Sequence, residues 1–214
     1  MAPWMTHLRI ADRLLEWARA RELDLPNFAF GTLAPDGGVP GEDGYMPDKS
    51  ITHFGRTASG HDYEGFLEKY LLKATDVKER SFYWGYYAHL VTDERWAMEM
   101  LYPLRENLRD EEYRRVTYAA RDEWVELDKA FLRSGGISPA WELVNAMEDF
   151  RERYMDFYPE EAFPGLLRRV KAHCLSELAE REYIYMSRKG MDEFVERTGG
   201  EILRRMAEVE ERMN

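Results

Sequence analysis

Apolar residues recur along most of this chain at the three- and four-residue spacing of amphipathic helices, and strand-like alternation is nearly absent. Leu8, Ala11, Leu14, Leu15 and Ala18 form one such stripe; Thr6 ahead of them suits an N-cap, and Pro26 is the expected stop. The same periodicity predicts helices over 62–75, 78–106, 109–134, 139–157, 163–189 and 191–212. Their expected breaks are Asp76, Asn107, the Ser134-Gly135-Gly136 turn before Ser138-Pro139, Pro159 to Pro164, and Gly190. Gly199-Gly200 marks a kink or split in the last one. Residues 31–61 are different. Glycines and prolines from Gly31 to Gly60 interrupt that segment so often that no period survives. Irregular stretches of this length inside a compact domain are typically functional or disordered. The expectation is a single all-α domain over residues 1–214, with a long irregular loop at 31–61.

Composition narrows the class. Hydrophobic residues make up 44% of the 214 positions and aromatics 14%, which excludes a disordered chain. One cysteine, Cys174, excludes a disulfide framework and a multi-cysteine zinc site. The net charge of −11 argues against general nucleic-acid binding. No apolar run is long enough to span a membrane, and Arg9, Asp12, Arg13 and Glu16 interrupt any leader-like core, so a cytoplasmic protein is expected.

The candidate chemistry lies in the five histidines, His7, His53, His61, His89 and His173. His89 and Asp93 are four residues apart in a predicted helix, as are His173 and Glu177, and side chains so spaced share a face. An imidazole and a carboxylate on one face can grip a divalent cation with little reorganisation. Asp93 lies in the aromatic helix from Phe82 to Trp96, where an isolated charge is costly and must be paired or bind a cation. The structural alternative pairs Asp93 with an arginine and lets His89 donate to a backbone carbonyl. The aromatic run Phe82 to Tyr87, with Trp17, Trp124 and Trp141, reads as core. Asp62, after His61, reads as a helix N-cap, which sets aside the His-Asp dipeptide of HD-domain phosphohydrolases.

The ordered series Met5-Thr6-His7, Gly31-Thr-Leu-Ala-Pro-Asp36, Thr52-His53-Phe54, His89-xxx-Asp93 and His173-xxx-Glu177 resembles the zinc-dependent phospholipase C family, which shares its helical fold with S1/P1-type nucleases. The resemblance runs from residue 5 to about residue 177. It implies a multi-helix bundle with two or three Zn2+ ions in a cleft. Asp36, His53, His89 and Asp93 would hold one metal, His173 and Glu177 a second, and His7 a third, with Asp93 bridging. Asp36 would double as general base. Two such ions activate a water and neutralise the oxygens of a transferring phosphoryl group. Where family members carry a histidine six residues after the bridging aspartate, this chain has Glu99, which points about 120° from Asp93 on a continuous helix. As a ligand, Glu99 would move preference toward Mn2+ or Fe2+. Trp4 stands where secreted members use a processed N-terminal tryptophan.

Two functions follow. One is a metal-dependent phosphoesterase acting on a small-molecule or lipid phosphodiester. The other is a non-catalytic helical protein that keeps the scaffold and one metal for stability or binding. The expected site is His7, Asp36, His53, His89, Asp93, His173 and Glu177 brought together, with Glu99 as a further possible ligand and His61 outside.

Overall fold

The computed structural model describes residues 1–42, 44–57, 60–105 and 108–213, with main chain alone at 56 and 57. It is mostly helical. Helix α1 (Trp4–Arg19) has Pro3 in the N-cap position, three residues and less than one turn before the expected Thr6 cap, and Pro3 offers no capping side chain. The cap comes from elsewhere. Asp128, on α7 (Asp110–Arg133), accepts the Met5 N–H at 2.6 Å and the Thr6 hydroxyl at 3.0 Å. An acceptor there satisfies a free N–H of the first turn. Pro26 does not end α1. It sits in the first turn of a separate helix, α2 (Leu25–Gly31), where its missing N–H costs nothing, and Asp24 caps it through Asn27 N.

The rest of the irregular segment carries a 3-10 turn (Ala34–Asp36), the hairpin β1 (Val39–Gly41) with β2 (Gly44–Met46), the short α3 (Lys49–Thr52), and a second ribbon, β3 (Arg56–Thr57) with β4 (Gly60–His61). Both ribbons are two-stranded, so the all-α reading stands. Helix α4 (Tyr63–Lys69) is capped by Asp62, whose carboxylate accepts Gly65 N.

Helix α5 (Val77–Trp96) is the central element. Asp76 caps it through Lys78 N and Glu79 N, and every residue from Ser81 to Asp93 is buried. A helix apolar on all sides belongs inside the bundle. Its backbone nearly touches that of α2. A Cβ on Gly85 would lie 2.1 Å from the Phe28 carbonyl oxygen, and one on Gly31 would lie 2.2 Å from that of Phe82. Two glycines permit this crossing, and it carries the irregular segment after α2 across the His89 face of α5. After Trp96 the helix widens into a π turn (Ala97–Leu101), then α6 (Tyr102–Arg105); the expected break at Asn107 lies outside the described residues.

Two expected helices are much shorter than their periodicity predicts. Helix α8 (Pro139–Ala146) stops well before 157, and residues 147–161 instead fold their aromatic rings, Phe150 and Tyr158 among them, against the core. Helix α9 (Ala162–Leu175) stops far short of 189. Residues 176–187 form a loop, four of whose amides are taken by α7. Glu123 accepts Ile184 N, Tyr185 N and Met186 N at 2.6 to 2.7 Å, and Glu126 accepts Ala179 N at 2.8 Å. With those four amides satisfied there, this stretch gains fewer hydrogen bonds by being helical. Helix α10 (Arg188–Met213) runs through Gly199-Gly200 unbroken. It lies in step with α1 through Arg9–Asp192, Arg13–Glu196 and Arg21–Glu210. Among the described residues, no helix is long and apolar enough to cross a membrane.

Candidate metal centre

Five of the expected ligands come from four elements and meet in one place. His7 comes from α1, Asp36 from the 3-10 turn, His53 from the end of α3, and His89 with Asp93 from α5. One ligand atom each from His7, His89 and Asp93 lie within 4.8 Å of one another, and so do one each from Asp36, His53 and His89. Asp93 is the hub. Its Oδ1 is 3.5 Å from His7 Nε2, and its Oδ2 is 3.4 Å from His53 Nε2 and 3.6 Å from His89 Nε2. Among the described residues no arginine is paired with it, and the Ala2 N–H donates to its Oδ1 at 2.8 Å.

The hydrogen bonds behind the rings set which nitrogen is available. His89 Nδ1 donates to the Thr32 carbonyl at 2.8 Å, so the lone pair of a neutral His89 is on Nε2, facing the cluster. His53 Nδ1 is bonded to the Thr52 hydroxyl at 2.8 Å, and His53 Nε2 lies 3.3 Å from His89 Nε2. His7 is stacked on His89 with ring centroids 3.9 Å apart, and neither of its buried ring nitrogens has a hydrogen-bond partner. Two tyrosines fasten the ligand segments. Tyr86, on α5, donates to the Thr52 carbonyl, and Tyr158 donates to the Ala34 carbonyl at 2.9 Å. Burial pushes both phenols up, so they stay protonated donors.

Electrostatics keeps His7 neutral and the two carboxylates charged. Burial, then the stacked His89, pushes His7 down to about 4. Burial alone would raise the Asp93 carboxyl, yet the ammonium of residue 1 and contacts with His53, His7 and His89 hold it well below the ordinary carboxylate range. Asp36 is lowered as well, its burial outweighed by Lys49, His89 and His53. Lone-pair nitrogens and carboxylate oxygens converging without enough protons between them are what a divalent cation requires. The donor set fits a metal.

The remaining expected ligands are elsewhere. Helix α9 ends two residues after His173, Ser176 turns extended, and Arg133 binds the Leu175 and Ser176 carbonyls. The His173–Glu177 pair therefore has no common helix face, and Glu177 is exposed. Half-buried His173 packs edge-on against Trp4, at 5.3 Å between centroids. Glu99 sits in the π turn with its carboxylate between Arg95 and Arg197. His61 donates from Nδ1 to the His53 carbonyl at 2.7 Å and belongs to neither ligand group.

A cavity of about 360 Å3 opens beside Asp36, with Trp4, Trp124, Tyr45 and His173 on its walls. Trp4 Nε1 donates to Asp36 Oδ2 at 2.9 Å, and Lys49 Nζ donates to Oδ1 at 3.2 Å. Trp4 thus serves the site through its indole, a role that periodicity hides because the residue lies on the helical stripe. Thr32, Tyr86 and Tyr158 are likewise invisible in the sequence, since two act through main-chain carbonyls and one contributes its own. At a significant level, no family model, no curated protein and no solved structure matches this chain.

Proposed function

We propose that this protein is a metal-dependent phosphoesterase centred on His7, Asp36, His53, His89 and Asp93. The observation that carries the reading is the buried meeting of three imidazoles with two carboxylates, in which His7 has both ring nitrogens without a partner. Buried polar groups left unpaired are costly, and ligation by a cation removes that cost. Three nitrogen and two oxygen donors suit Zn2+, for one or two ions, better than harder cations. A divalent cation bound there supplies Lewis acidity, activating a water and neutralising phosphoryl oxygens. In this reading Asp93 is the shared ligand, His89 is oriented by the Thr32 carbonyl, and Asp36 is both ligand and proton acceptor at the cavity wall. Phosphodiesters of small molecules or lipids are the substrate class.

One observation favours the rival, a non-catalytic metal-binding protein. Glu99 and Glu177 lie outside the cluster, so the carboxylates that a second, separate metal would need are not assembled. The test combines metal analysis of freshly purified protein with hydrolysis of bis(p-nitrophenyl) phosphate. The phosphoesterase should carry at least one Zn2+ per chain, and Asp93→Asn should lose metal and lower hydrolysis by orders of magnitude. A fully metallated wild type that hydrolyses no phosphodiester or monoester across a broad panel overturns the proposal in favour of the rival.

A further inference from the structure

The cavity beside Asp36 is far more positive than the chain that forms it. Lys49, Arg121 and Arg169 line it against one carboxylate, that of Asp36, in a protein of net charge −11. Such a chain repels anions at long range, so cations gathered in a concave wall decide which anions enter. Their roles divide. Lys49 is drawn to Asp36 and offsets its charge. Arg121 and Arg169 have no carboxylate partner among the described residues. Arg169 is held from behind, donating to the Gly38 carbonyl at 3.3 Å with its guanidinium 5.3 Å from the Tyr45 ring centroid. A guanidinium positioned that way keeps donors free, and its fork matches the edge of a phosphate. The volume, about 360 Å3, is in the range of small-ligand sites, and Trp4 and Trp124 add apolar wall around the charges.

We infer that this cavity binds a second phosphate group of the substrate, held by Arg121 and Arg169, while the ester to be cleaved faces the histidine cluster. The preferred substrate is therefore a phosphoester that carries another phosphate. The inference rests on the phosphoesterase reading for the reacting group, whereas the anion site is measurable by itself.

The probe is methylenediphosphonate, which has no ester to hydrolyse. Its binding to EDTA-treated, dialysed protein is followed by calorimetry and by fluorescence of the cavity tryptophans, with malonate as the carboxylate comparison. Wild type should bind methylenediphosphonate more tightly than malonate, with affinity falling as salt rises. Arg121→Gln, a change at an exposed side chain, should weaken binding about tenfold or more, as should Arg169→Gln, matching the loss of a charge-assisted hydrogen bond. Arg121→Lys should recover part of the loss. No binding by wild type at millimolar probe, a preference for malonate, or wild-type affinity in both glutamine variants overturns the inference. If wild type takes up no metal yet binds methylenediphosphonate through the arginines, the phosphoesterase reading falls and the phosphate site stands. If it is an active phosphoesterase that binds no diphosphonate, the reverse holds.

Discussion

Gly85→Ala tests whether the α2–α5 crossing builds the candidate metal centre. The new Cβ would lie 2.1 Å from the Phe28 carbonyl oxygen, 2.9 Å from Thr32 N and 3.0 Å from Gly31 C, and ordinary contact begins near 3.4 Å. All three neighbours are backbone, so no side chain can swing away. Helix α2 must withdraw by about 1.3 Å. Carried to Thr32, one turn beyond Phe28, that shift takes the 2.8 Å bond from His89 Nδ1 out of hydrogen-bonding range. Overpacking costs about 1–3 kcal/mol. Leaving a buried donor unpaired costs about 1–3 kcal/mol more. A total loss of roughly 2–6 kcal/mol in urea unfolding is expected. If His89 ligates a metal as proposed, losing the acceptor behind it should also weaken metal binding about 10–100-fold in a chelator competition titration. Gly200→Ala is the control: nothing lies within 4 Å of that Cβ in α10, so it should be neutral or stabilising. A Gly85→Ala protein with wild-type stability and metal affinity would refute the argument that this crossing sets His89.

Tyr158→Phe removes the donor to the Ala34 carbonyl beside Asp36, so metal affinity should fall several-fold while stability falls by about 1 kcal/mol; an unchanged chelator titration would show that the turn holds its place without it. Glu123→Ala strips the acceptor from three amides, so hydrogen exchange at 184–186 should accelerate and protease should cut within 176–187; protection equal to wild type would refute the pinning argument. Burial pushes Asp128 up to about 7 despite the Met5 N–H, the Thr6 hydroxyl and Arg9, which lower it. Its folded pKa lies above the unfolded value of 3.8, so the stability it contributes is full below that value and is lost as pH rises toward 7. Asp128→Asn should therefore gain on wild type between pH 4 and 7 in urea unfolding with EDTA present, by up to about 4 kcal/mol, and parallel pH curves would count against it.

The helical class was legible because burial on one side writes a period into the sequence, and the period survives whatever the helices pack against. Helix ends were less legible, because they depend on partners distant in the chain. The start of α1 looks like a Thr6 cap until Asp128, 122 residues away, is seen to supply the carboxylate. Pro26 reads as a stop, yet proline is also a preferred first-turn residue, and only the position of Asp24 ahead of it tells the two apart. The aromatic residues 150–158 have enough apolar character for a helix but pack as an irregular segment on Phe30, Phe82 and Phe163, where ring contacts replace a helical ladder.

The two His-x-x-x-carboxylate pairs make the same point at the site. Both have the spacing of neighbours on one helix face, and spacing is meaningful only while the helix continues. Around His89 nothing competes with the helix: α5 is buried on all sides, so its amides have no partner but its own carbonyls, and Asp93 stays beneath the imidazole. Around His173 a competitor exists. The carboxylates of Glu123 and Glu126 capture amides downstream, while Lys129 and Arg133 capture carbonyls of Leu175, Ser176 and Glu177. Those four α7 side chains look like an ordinary solvated helix face in sequence, yet Glu123 is 2% exposed and Glu126 8%. The chain beyond Leu175 thus satisfies its backbone without helical bonds, and the ligand spacing dissolves with the helix. A paired motif on a fully buried helix is therefore strong evidence for a shared site, whereas one near the end of a surface helix depends on what the neighbouring element offers the backbone.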